Sequence, residues 1–147
     1  MKVLIQRVRQ ARVTVSGETA GEIQGGMLIF LGVGRGDTRS EADWLAGKIL
    51  GLRIFGDESG NLNLSLGEVS GEILLISQFT LLGDCRKGRR PSFTEAADPA
   101  LARELYEYLG QALARSVPVA WGRFGAHMEV SLVNDGPVTF ILEKNPA

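Results

Sequence analysis

Met27-Leu28-Ile29-Phe30-Leu31-Gly32-Val33 is an apolar run broken only by a glycine. Side chains along a strand alternate between its two faces, so a strand apolar at every position is covered on both. Outward from this segment the chain reads as further strands. Residues 2–16 are rich in Val, Ile and Thr, and Val13 and Val15 alternate with Thr14 and Ser16, which predicts one long or two short strands. Ser16-Gly17-Glu18 signals a turn, Glu22-Ile23 leads out of it, and Gly25-Gly26 punctuates before the apolar run.

Downstream, Ser40 opens a helix, with Asp43 three residues on in a near-capping-box pattern. Leu45, Ile49 and Leu52 share one helical face. Asp57–Asn61 is a loop. A second strong strand is expected over Glu72–Leu82, built on Ile73, Leu74, Leu75 and Ile76, and Gly83–Pro91 is a polar, basic loop. Asp98-Pro99 starts a second helix, because Asp caps and Pro suits the first helical position. Its stripe is Leu101, Leu105, Tyr108, Leu109 and Ala112. Strands follow at Val117–Trp121 and His127–Val133. Asn134-Asp135-Gly136-Pro137 interrupts, and Val138–Leu142 resumes. The expectation is a mixed α/β, strand-dominated fold with two main helices, forming a single domain over residues 1–147.

Composition narrows the function classes. Of 147 residues, 44% are hydrophobic, enough for a sizeable core, and the formal net charge is −1. No global basic field announces a nucleic-acid partner, so any RNA contact rests on a local patch. The single cysteine, Cys85, forms no internal disulfide, which fits a reducing compartment. The start of the chain lacks the apolar run of a signal peptide, and no stretch approaches the roughly 20 apolar residues of a membrane span. A cytoplasmic protein with no membrane association is expected.

One His and one Cys, far apart, give no zinc spacing. His127 lacks a GxSxG serine partner, and a Cys85–His127 pair is less plausible than an incidental loop thiol. Gly32-Val33-Gly34-Arg35-Gly36 lies between strand and helix but matches no phosphate-loop spacing, so it reads as a connection. Arg86-Lys87-Gly88-Arg89-Arg90 carries four cations in five residues. Such a run is either a solvated loop or a clamp for an RNA backbone. Ser77-Gln78-Phe79-Thr80-Leu81 places hydrogen-bonding side chains at the end of an apolar strand, where polar groups often line a site. In Asn134-Asp135-Gly136-Pro137-Val138-Thr139, Gly permits close backbone approach to a ligand, and Gly-Pro otherwise reads as a hairpin turn.

SQFTL at 77–81 together with NDGPVT at 134–139 resembles the signature pair of the D-aminoacyl-tRNA deacylase family. The resemblance spans essentially the whole chain, through Leu4-Ile5-Gln6-Arg7-Val8, Arg53-Ile54-Phe55, Asn61-Leu62-Asn63-Leu64, Arg90-Pro91-Ser92-Phe93, Gly122-Arg123-Phe124 and Val130-Ser131-Leu132-Val133. Each motif is weak alone, but in this order and spacing the set is specific.

The resemblance implies a barrel-like mixed β-sheet and an ester hydrolase acting on D-aminoacyl-tRNA as a homodimer, with its active sites at the subunit interface. It implies that Ser77, Gln78, Phe79 and Thr80 line the catalytic pocket. Gly136-Pro137 of the other subunit, joined by a cis bond and steadied by Arg7, enters that pocket and excludes L-side chains. Main-chain N–H groups near Phe79 and Thr80 would stabilise the oxyanion. Water is the preferred nucleophile, placed partly by the ribose 2′-hydroxyl, and no metal or organic cofactor is required. Arg86, Lys87, Arg89 and Arg90 are the expected tRNA contacts. Competing readings are a deacylase of the same fold acting on mischarged L-aminoacyl-tRNA, an RNA-binding module without catalysis, and a nucleotide binder using Gly32–Gly36.

Overall fold

One long hairpin organises the molecule. In the computed structural model, which describes residues 1–147, β1 (Lys2–Val15) is antiparallel to β2 (Glu18–Ile23) through its second half and to β3 (Gly26–Gly32) through its first. Val8 faces Gly26 and Ala11 faces Ile23, so β2 and β3 follow one edge of β1 with a break at Gln24-Gly25. The other edge of β1 pairs with β8 (Glu129–Glu143). Beyond β3 come β6 (Glu72–Ser77) and β7 (Val119–Trp121), both parallel to their neighbour. A ribbon of β4 (Phe55–Gly56) and β5 (Leu62–Leu64) stands apart, joined through the Asp57–Asn61 turn.

The sheet curls until β7 meets β2: a Cβ added to Gly21 would lie 2.4 Å from the Trp121 carbonyl oxygen. This near-closed barrel has an apolar layer on each side. Val3, Ile5, Met27, Ile29, Leu31, Ile73 and Leu75 pack under helices α1 (Arg39–Gly51) and α2 (Pro99–Ala114). Their strand neighbours Val8, Leu28, Leu74 and Ile76 fill the barrel with Ala11, Val13 and Ile23. The double-sided apolar character of residues 27–33 has this physical cause: odd positions serve the helices and Leu28 the barrel.

Local chemistry departs from the expected boundaries in four places. The cap of α1 is Thr38, and Glu41 completes the capping box by accepting from the Thr38 N–H at 2.6 Å. Asp43 instead accepts a hydrogen bond from the Tyr108 hydroxyl at 2.8 Å. In α2, capped by Asp98 as expected, Tyr106 rather than Tyr108 is buried, and its hydroxyl donates to the Leu75 carbonyl. The strand expected over 72–82 ends at Ser77, and Phe79–Leu82 forms a 3₁₀ turn. The Gln78 N–H makes a last ladder bond to Leu31, and β3 ends one residue later. Asn134–Pro137 does not interrupt a strand. β8 runs through it, with register shifts against β1 between Gln6 and Val8 and between Val8 and Gln10. Pro137 has no N–H for a ladder, and the Asn134 side chain accepts from Val138 at 2.8 Å inside the bulge.

Candidate active site

Strand β6 delivers Ser77 and Gln78 to the rim of the sheet, and the 3₁₀ turn presents Phe79 and Thr80 beside them. The Gln78 side-chain amide donates to the Thr80 hydroxyl oxygen. Phe79 is 53% exposed. Its edge-to-face partner is Phe93, with ring centroids 5.1 Å apart. Ser77, Gln78 and Phe79 line a cleft of about 490 Å³ together with Phe124, Met128 and Val130. The cleft is mostly apolar, with a few polar groups in its lining, the usual make-up of a small-molecule site.

The second signature segment lies elsewhere on the same chain. Gly136-Pro137 is a cis peptide. The residue before it is clamped: Arg7 Nε donates to the Asp135 carbonyl at 2.8 Å, and another Arg7 nitrogen reaches the Ile54 carbonyl at 2.8 Å. Arg7 and Arg9 also pair with the Asp135 carboxylate at 3.6 and 3.5 Å.

The ladder register measures the gap between the two segments. Gly136-Pro137 sits in the β8 bulge opposite Arg7, which faces Met27, which faces Ile73. Ser77 is four residues farther along β6 and three strand spacings away. At about 3.3 Å per residue and about 4.8 Å between strands, that is roughly 13 Å along the sheet and 14 Å across it. Within one chain the two segments do not meet.

Comparison with known proteins decides the family. The family model described as D-Tyr-tRNA(Tyr) deacylase matches residues 4–143. The chain is 59% identical over 147 residues to a D-aminoacyl-tRNA deacylase of Geobacter sp. (strain M21), covering 99% of each chain. It is 54% identical over 144 residues to one of Thermosipho africanus (strain TCF52B), covering 97% of each. This chain belongs to the D-Tyr-tRNA(Tyr) deacylase family.

Solved structures agree on the fold. A chain described as a c-Myc DNA unwinding element binding protein superposes with a TM-score of 0.93 at 39% identity, covering 99% of this chain and 100% of that one. Another, described as "a probable eukaryotic D-amino acid tRNA deacylase", gives 0.84 at 17% identity over 96% and 97%. The mixed, strand-dominated architecture and the family resemblance read from the sequence both hold.

In this deacylase-family chain the basic loop is pinned at its base. Asp84 and Ser92 exchange main-chain hydrogen bonds at 2.7 and 2.9 Å. Arg86 is held by both Asp84 carboxylate oxygens, at 2.9 and 2.7 Å, which brings the Asp84 carboxyl down to about 2. Arg86 therefore spends its charge inside the loop. Lys87, Arg89 and Arg90 are exposed and make no ion pair.

The glycines at 32–36 are already served by carboxylates. The Gly34 N–H donates to Asp37 at 2.6 Å, Asp37 pairs with the terminal ammonium of Met1 at 2.8 Å, and Glu41 occupies the start of α1. A phosphate there would meet two acidic side chains, so the connecting-loop reading stands. His127 lies on the cleft rim, exposed and without a side-chain hydrogen bond. The apolar wall of Phe124, Met128 and Val130 is the part of the site that single-sequence reasoning missed. Its signal is only an apolar alternation, shared with every core strand.

Proposed function

We propose that this chain hydrolyses the ester of D-aminoacyl-tRNA, releasing the D-amino acid and the tRNA, and works as a homodimer in the cytoplasm. The observation that carries this reading is the separation just measured. Two signature segments of one family lie three strands and four residues apart on the sheet of one chain, each an incomplete site. A two-fold dimer brings unlike segments of its two chains together twice.

On this reading the terminal adenosine lies along the apolar cleft, with its ester at Phe79 and Thr80. These two residues lead the 3₁₀ turn, where main-chain N–H groups have no acceptor within the turn. They are the donors for the tetrahedral oxyanion. The substrate is already activated, because its α-ammonium withdraws electrons from the ester carbonyl. Thr80 positions rather than attacks: its side-chain partner is the Gln78 amide, which cannot accept a proton. Water is the nucleophile, placed with help from the ribose 2′-hydroxyl, and no metal or cofactor takes part. The partner's Gly136-Pro137 carbonyls stand where an L-side chain would project, and a D-side chain points away. Glycine has no side chain to exclude, so glycyl-tRNA is a substrate too.

The test is hydrolysis of D-Tyr-tRNA against L-Tyr-tRNA, with EDTA present. Fast release of D-Tyr alone is expected. Equal rates would remove the chiral filter, and preference for the L-ester would favour the alternative deacylase. Protection of charged tRNA without release would favour a pure RNA-binding module.

A further inference from the structure

Phe93 is an aromatic side chain that the chemistry above leaves unused, and its setting is specific. It follows directly on Ser92, the residue that closes the base of the basic loop. Its ring is 38% exposed and touches Phe79, itself 53% exposed, edge to face. It also packs close to the main chain: a Cβ on Gly83 would lie 3.0 Å from the Phe93 ring. The ring thus packs on two neighbours, yet is held out of the core. In the loop that Ser92 closes, Lys87, Arg89 and Arg90 are exposed and make no ion pair. An exposed aromatic at the base of a loop of unpaired cations is an arrangement that holds single-stranded nucleic acid, with the ring stacking on a base and the cations following the phosphates. An apolar protein partner would gain nothing from three unpaired cations at the edge of the contact.

We infer that Phe93 is the stacking shelf for the unpaired nucleotide immediately preceding the terminal adenosine of the substrate, and that Lys87, Arg89 and Arg90 hold the phosphates leading to it. The inference rests on the deacylase reading, which places the ester at Phe79 and Thr80. Phe93 then lies one ring farther out, where the next base of the strand arrives. Stacking is tolerant of base identity, and every aminoacylated tRNA presents a single-stranded end here. Phe93 is a positioning residue: it recognises the RNA whatever amino acid is attached and contributes nothing to chirality.

The experiment compares two substrates with wild type, Phe93→Ala, Phe93→Leu and Phe93→Trp. One substrate is D-Tyr-tRNA. The other is D-tyrosyl-adenosine, which has the ester but no preceding nucleotide. Phe93→Ala is expected to lower kcat/KM on the tRNA by roughly 5- to 150-fold, the worth of one stacked base, mainly through KM. Phe93→Trp keeps it, Phe93→Leu falls between, and no variant changes turnover of the adenosine ester. A second readout replaces the penultimate nucleotide by fluorescent 2-aminopurine: wild type changes its emission on binding and Phe93→Ala does not. Equal losses on both substrates would overturn the inference and make Phe93 a mere prop for Phe79. Unchanged tRNA kinetics in Phe93→Ala would overturn it as well. Wild type inactive on both substrates, but still shifting the 2-aminopurine signal through Phe93, would refute the deacylase reading while leaving the shelf intact.

Discussion

Arg7 donates to the Asp135 main-chain carbonyl at 2.8 Å while a second nitrogen of the same guanidinium holds the Ile54 carbonyl. One side chain on β1 therefore fixes the residue before Gly136-Pro137 and ties it to the segment entering β4. Arg7 is mostly buried, with 14% of its side chain exposed. Arg7→Ala leaves two carbonyls without their charged donor. Charge-assisted bonds of this kind are worth about 1.5–3 kcal/mol each, so the loss of both predicts a fall of about 3–6 kcal/mol in urea unfolding. The ratio of D- to L-Tyr-tRNA hydrolysis falls with it, because the element assigned to exclude L-substrates loses its anchor. A variant as stable and as selective as wild type would remove Arg7 from this role.

Closure of the barrel is tested at Gly21. Ala is normally the better residue in a strand, but here its Cβ would lie 2.4 Å from the main-chain oxygen of Trp121. A carbonyl in a packed sheet cannot rotate aside as a side-chain tip can. Gly21→Ala is expected to cost about 1–3 kcal/mol, a fall of several degrees in Tm at about 2–4 °C per kcal/mol. An unchanged Tm would mean that β2 and β7 are not in contact.

The same residue marks what the sequence carries and what it hides. The strands at 2–16 and 27–33 and the helix capped by Asp98 were legible because alternation, apolar runs and capping chemistry are local signals. The contact of Gly21 with Trp121 joins residues a hundred positions apart and leaves no local trace. The end of β6 at Ser77 was hidden because Phe79, Leu81 and Leu82 continue an apolar pattern while the chain turns. The passage of β8 through Asn134–Pro137 was hidden for the opposite reason: turn-forming residues occupy a bulge. At the site, the polar residues at 77–80 were visible because they break an apolar strand. The lining by Phe124 and Met128 was invisible because apolar residues look like core.

The hydroxyl of Thr80 separates two chemistries. With only the Gln78 amide bonded to it, it has no base to activate it. Thr80→Ala is expected to retain measurable D-Tyr-tRNA hydrolysis, reduced by lost positioning. Mass spectrometry of wild type under turnover is expected to find no acyl adduct. A trapped adduct on Thr80, with a dead Thr80→Ala, would make the threonine the nucleophile.

Salt dependence reads the basic loop residue by residue. Each lost phosphate contact flattens the log-log slope of tRNA binding against salt by roughly 0.7–0.9. Lys87→Ala, Arg89→Ala and Arg90→Ala should each do so. Arg86→Ala should change the slope less, because the Arg86 guanidinium is committed to Asp84 and makes no phosphate contact of its own. Four equal effects would show that the Asp84 pair opens on binding. Four null effects would leave the loop as a solvated surface.

The proposed cross-subunit site is the step on which the proposed mechanism depends most. Gln78 and Thr80 lie at one end of β6, and Gly136-Pro137 lies beside β1, three strands away across the sheet. If both build one pocket, they come from different chains. Take one variant with Gln78 and Thr80 both replaced by Ala, and another with Gly136 and Pro137 both replaced. Each homodimer is expected to be impaired, the first in turnover and the second in selectivity and turnover. After subunit exchange about half the dimers are mixed. One pocket of each mixed dimer carries both defects, and the other combines an intact strand with an intact Gly-Pro. Selective activity should therefore return to about a quarter of wild type. Native mass spectrometry confirms that mixed dimers have formed. Mixed dimers that stay inactive would place the Gly-Pro element in its own chain's function, and a monomeric protein of full activity would exclude the shared pocket altogether.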